Sequence, residues 1–84
     1  MQQFMRKFTQ LNGVTARVVL EHRLFDKQVF YCEELKTVND NDRVGVAIQG
    51  QTIFSYKHEV KMFNVQDGRY VISDGRLTII VEKL

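Results

Sequence analysis

Proline is absent from the 84-residue chain, and Cys32 is its only cysteine. A lone cysteine excludes an intrachain disulfide and agrees with a reducing, cytoplasmic setting. No stretch approaches the roughly 20 consecutive apolar residues of a membrane helix, so no membrane partner is expected. The opening MQQFMRKFTQ has no apolar run of the kind a signal peptide carries. Charge of one sign is scarce too, with 12 Lys and Arg against 10 Asp and Glu and a net charge of +2. Any affinity for nucleic acid must therefore come from a local patch and not from bulk charge. There is no low-complexity run, and 44% hydrophobic with 26% charged residues is the composition of a folded domain. One domain, 1–84, is expected, with a thin core that a partner subunit could supplement.

Catalytic and metal-binding constellations are missing. His22 and His58 fall on separate strand-like runs, and neither HxxxH nor CxxC spacing occurs. Glu33 and Glu34 are strand neighbours that point to opposite faces, so they cannot act as an acid and base pair. Cys32 in an alternating run reads as packing, not as a nucleophile. The five glycines lie singly at turns and in one strand, with no phosphate-cradling loop. The chain is expected to be no enzyme and to carry no cofactor or metal.

Phe4, Phe8 and Leu11 recur at helical spacing with Met1 and Met5 beside them, and Arg6, Lys7 and three glutamines take the other face. This predicts an amphipathic helix within 1–13, closed at Asn12-Gly13. The period then changes to two. VTARVVLEHR places Val14, Ala16, Val18 and Leu20 on one face. KQVFYCEEL carries aromatics on both faces, which predicts a strand packed on one side and touched by a helix or neighbour on the other. KTVNDND reads as a polar turn. In RVGVAIQ, Val44, Val46 and Ile48 point inward, and Gly45 leaves room for a close approach on the other face. TIFSYKHEVKMFNV is long for one strand, so a bend is expected near Lys57 to Glu59. Asp67-Gly68 and Asp74-Gly75 mark tight turns of a C-terminal meander, 66–84. The expectation is one helix and about six strands, a small, strongly bent antiparallel barrel.

Two stretches remain as candidates for binding, VNDND and SYKHEV. Lys57 and His58 have a plain reading as a solvated strand edge kept from aggregating by charge. The functional reading is that Asn amides meet a base edge, Lys meets phosphate, and a His or Tyr ring stacks on a base.

In order and spacing these pieces resemble the Sm, LSm and Hfq superfamily. The Asp and Asn loop that closes that family's first motif is resembled by Val38-Asn39-Asp40-Asn41-Asp42, and the Tyr-Lys-His of its bacterial second motif is matched by Tyr56-Lys57-His58 followed by Val60. FMRKF resembles the start of the Hfq helix, and the Sm-like core would span 14–65. The loop has no aromatic residue, Glu59 sits beside the basic pair, and the tail adds a hairpin to the family's five strands, as a diverged branch of phage origin would. The resemblance implies a homo-oligomeric ring of about five to seven subunits. It also implies that the ring binds single-stranded RNA, or DNA of the same chemistry, in RNA processing or regulation. The residues it points to are Asn39, Asn41, Arg43, Tyr56, Lys57 and His58, with Arg6 and Lys7 lining the same face. The stretch from Asp42 to Val81 is also similar to the YabP and YqfC sporulation family, which implies instead a structural or protein-interaction β module.

Overall fold

The computed structural model describes residues 2–84, so Met1, placed above on the apolar face of the helix, lies outside the described residues. Helix α1, Gln2–Thr9, is followed by β1 (Ala16–His22), β2 (Phe25–Cys32), β3 (Lys36–Asn39), β4 (Arg43–Ile48), β5 (Gln51–Tyr56), a 3₁₀ turn (Lys57–Glu59), β6 (Met62–Gln66), β7 (Arg69–Ser73) and β8 (Leu77–Lys83). The chain is mostly β behind one short helix, as expected. Its strands form two antiparallel sheets, β2-β1-β8-β7-β6 and β3-β4-β5, and no closed barrel among the described residues. A bent second strand would carry one sheet into the other. Here it breaks at Glu33 to Leu35, because Leu35 turns inward to 1% exposure while its N–H bonds Val14 O at 2.9 Å and its carbonyl accepts from Gly13 N at 2.7 Å.

The inward faces of both sheets and the helix share one core. Ala16, Val18 and Leu20 of β1, Val44, Val46 and Ile48 of β4, Ile72 of β7, and Ile79 and Val81 of β8 meet Phe4, Met5, Phe8 and Leu11 from the helix side. Phe8 is fully buried. Aromatic contacts fasten α1 to the sheet, with ring centroids 5.3 Å apart for Phe4 and Phe63, 6.0 Å for Phe4 and Tyr70, and 6.3 Å for Phe8 and Tyr70. Tilted pairs at such distances add to simple area burial. Arg6 and Lys7 lie in the last turn of the helix, where its dipole favours positive charge.

Two readings of the sequence need correction and one is narrowed. KTVNDND is not a turn throughout: Lys36–Asn39 pair with Val44–Ala47, because half-buried Thr37 and Val38 gain from a partner strand, and the turn shrinks to Asp40–Asp42. The outer face of β2 is not packed on the helix among the described residues, which leaves it open to a neighbour. Phe25, Val29 and Tyr31 are 71%, 41% and 73% exposed, and only Phe30 and Cys32 pack toward the core. Among the described residues the strands number eight and not about six, because Lys36–Asn39 adds one and the bend expected near Lys57 is a 3₁₀ turn that ends β5 and begins a strand of the other sheet.

Turn chemistry follows the sequence. Asp67 and Gly68, at φ +53° and +76°, form the two-residue link between β6 and β7, a conformation that Asp tolerates and Gly adopts freely. Gly45 serves a different need. A Cβ there would stand 2.0 Å from Ile53 O and 2.6 Å from Phe54 Cα, so the backbone of β5 is what approaches the bare face of β4. Gly45→Ala is expected to cost about 2–3 kcal/mol, because backbone must move to admit it. Urea denaturation checks this, and a stability within about 0.5 kcal/mol of wild type would mean that β5 gives way easily.

Candidate nucleic-acid interface

The Asn and Asp loop is built by its own side chains. Asp40 Oδ1 accepts from Asp42 N at 2.9 Å and Arg43 N at 2.8 Å, which closes the turn, and Asp40 Oδ2 accepts from Arg43 Nε at 2.8 Å. The Arg43 hydrogen bond, joined by the two backbone N–H groups, holds the Asp40 carboxyl below its ordinary pKa. Arg43 also lies over the Phe54 ring, 5.0 Å from its centroid. Its guanidinium thus helps to fold the loop while the side chain stays 41% exposed. Asn41 is exposed at the turn but does not line the groove described next.

The 3₁₀ turn docks on this loop. Lys57 N donates to Asp42 O at 2.7 Å, one step beyond the Arg43–Tyr56 pair of the β4–β5 ladder, and Lys57 Nζ donates to Asp40 O. The two motifs that lie 17 residues apart in the chain therefore meet. Beside them a groove of about 660 Å³ is lined by Gln2, Met5, Arg6, Thr9, Gln10, Asn39 and Lys57. Asn39 Nδ2 donates to Thr9 Oγ1 at 3.0 Å, and Thr37 N donates to Asn12 Oδ1 at 3.1 Å, so the helix and β3 form its two walls. Arg6 and Lys57 are in no ion pair among the described residues. The groove thus offers two cations, an Asn amide already oriented by Thr9, and the side-chain amides of Gln2 and Gln10.

Not every expected residue joins it. Lys7 lies along a separate cleft with Gln3, Phe4, Phe63 and Asn64, since one step along a helix rotates a side chain by about 100°. His58 faces away from Lys57, into a cleft with Arg23, Lys61 and Arg76. Arg6 and Lys7 therefore do not line one face, and Tyr56-Lys57-His58 is divided between two. The Tyr56 and His58 rings stand 5.9 Å apart with their planes tilted by 30°, and Tyr56 is 45% exposed. Glu59 does not add its charge to the Lys57 side, because it pairs with Arg76 Nη2 at 3.3 Å.

The sequence reading missed Gln2, Thr9 and Gln10. Their signal was present, since positions 2, 6 and 9 form the stripe of α1 on which Arg6 lies and Gln10 follows directly after it. Cys32 is half-buried beside the core, and burial pushes its thiol pKa up, away from the reactive thiolate. Compared with models of known protein families, with curated proteins and with solved structures, the chain matches none.

Behind the 3₁₀ turn, Ser55, the one buried polar side chain identified among the described residues, donates Oγ to Asp74 Oδ2 at 3.0 Å and joins β5 to the β7–β8 loop. Partial burial alone would raise the Asp74 pKa. The N–H groups of Leu77 and Arg76, the Ser55 hydroxyl and the Arg76 charge outweigh it and hold the carboxyl below its ordinary 3.8. The stability Asp74 contributes is present above that unfolded value and is lost as pH falls through the lower folded one. Asp74→Asn is expected to lose about 1–2 kcal/mol at neutral pH. It is also expected to lose less than wild type between about pH 5 and pH 2, as urea midpoints at both would report.

Proposed function

We propose that the chain is an Sm-like nucleic-acid-binding subunit that assembles into a homo-oligomeric ring and holds single-stranded RNA at the groove between α1, Asn39 and Lys57. Its support is the meeting of the Asn and Asp loop with the Tyr-Lys-His turn through Lys57, next to Arg6. Arg6 and Lys57 would neutralise phosphates, and the Asn39 amide would read a base edge. The exposed Tyr56 ring would give a base a surface to stack on. Single-stranded DNA presents the same phosphates and would compete for the same groove.

Ring assembly would use the outer edge of β5, which among the described residues pairs only with β4. Covering such an edge removes unpaired backbone groups and adds apolar burial to a small core. Repetition of one weak groove per subunit would raise avidity for a strand that reaches several. A second reading, a protein-interaction β module, has its own observation in the exposed Leu24, Phe25 and Tyr31 along the β1–β2 hairpin, at 78%, 71% and 73%.

Lys57→Ala with Arg6→Ala is expected to weaken binding of oligo-U or oligo-A by an order of magnitude or more at low salt. Each lost phosphate contact should reduce the slope of log affinity against log salt by about 0.7. Light scattering should find the same oligomer for the variant, at about five to seven subunits. A monomer would remove the ring, and an unaltered salt series would remove the groove.

A further inference from the structure

Beyond the 3₁₀ turn lies a second basic cleft, of about 380 Å³, whose lining includes Arg23, His58, Glu59, Lys61, Asp74 and Arg76. Three distant segments meet there. The β1–β2 turn brings Arg23, whose N–H donates to Arg76 O at 3.2 Å, and the start of β6 brings Lys61, whose N–H donates to Ser73 O at 2.8 Å. The β7–β8 loop supplies Asp74 to Arg76.

Three cations in this cleft face two carboxylates, and both carboxylates are already engaged. Glu59 holds Arg76 at 3.3 Å. Asp74 spends Oδ1 on the N–H groups of Arg76 and Leu77, each at 2.8 Å, and Oδ2 on the Ser55 hydroxyl. Arg23 and Lys61 have no carboxylate partner among the described residues, and both are exposed. Their backbones are fixed, their charges are free, and the Lys61 stem lies against Gly75, where a Cβ would come within 3.4 Å of Nζ.

The 3₁₀ turn separates this cleft from the first groove and serves both, with Lys57 on one side and His58 on the other. At this turn the Tyr56 ring, 45% exposed, lies 5.9 Å from the His58 ring that lines the second cleft. We infer that Arg23 and Lys61 form a second phosphodiester-binding site, so that a single strand leaving the Arg6 and Lys57 groove crosses the turn at Tyr56 and His58 and continues along the same subunit. Cations spaced on either side of aromatic rings are the arrangement by which a single-stranded backbone is tracked without sequence preference. This site rests on the nucleic-acid reading of the first groove and extends it.

The test is fluorescence anisotropy with 5′-labelled oligo-U and oligo-A at two lengths, one of about four nucleotides and one of about twelve, matching single-site and extended occupancy. Wild type, Arg23→Ala/Lys61→Ala and Lys57→Ala would each be titrated over a salt series, with thermal melts confirming that the exposed substitutions leave the fold intact. Wild type should bind the long strand more tightly than the short one. Arg23→Ala/Lys61→Ala should keep the short-strand affinity and reduce the long-strand salt slope by about 1.4, the value for two lost contacts. Lys57→Ala should weaken both lengths. Charge reversal, Lys61→Glu, should weaken the long strand further than Lys61→Ala does. An unaltered long-strand slope in Arg23→Ala/Lys61→Ala overturns the second site and leaves the first groove standing. Failure of wild type to bind either length overturns the nucleic-acid reading, and the second site with it.

Discussion

Between Tyr56 and Met62 the chain passes from the three-stranded sheet to the five-stranded one, and the hydrogen bond from Lys57 N to Asp42 O fixes where it turns. That bond continues the β4–β5 ladder by one residue beyond the last pair, Arg43 and Tyr56. It decides which side chains of the turn reach which cleft. With the Lys57 backbone held against the loop, its ammonium lies over the Asp40 carbonyl and His58 is carried to the opposite side. The rest of the basic face follows from this one placement, because the helix, the loop and the β7–β8 hairpin supply walls around a turn whose position is already set.

The helix has a larger part in this than its eight residues suggest. A chain of this size buries little apolar surface, and Phe4 and Phe8 add aromatic volume that packs against Phe63 and Tyr70 of the sheet. The same docking sets the polar stripe of α1 beside β3, so stability and the groove come from opposite faces of one short element. Arg6 and Lys7 differ in position for the same reason: the apolar face is pinned, and each polar residue must point where the helix angle sends it.

Much of the architecture was readable from period and turn chemistry. The inward set Ala16, Val18, Leu20, Val44, Val46 and Ile48 was visible as alternation, and Asp67-Gly68 as a hairpin turn. What escaped was long-range. Lys36 to Asn39 look polar in isolation and become a strand only because β4 stands beside them. Arg43 has Asn and Asp as its neighbours in sequence, and only the fold shows that it engages Asp40 and the Phe54 ring across the sheet. Local pattern locates charge, and tertiary contact decides whether that charge is free. Glu59 shows the converse, since Arg76 engages a carboxylate that by sequence adjoins the basic pair.

Gly45 acts on a different scale. At its place opposite Phe54 the backbone of β5 comes close enough to forbid a side chain. A slip of two residues preserves the inward and outward alternation, and so is the error that hydrophobic pattern alone does not prevent. That slip would bring Arg43 or Ala47 under the close approach and drive a Cβ into the Ile53 carbonyl. The missing side chain therefore acts as a key that admits one alignment of the hairpin. Since Asp42 and Lys57 are the next residues along the same ladder, the alignment that Gly45 enforces is also the one in which the loop and the turn find each other.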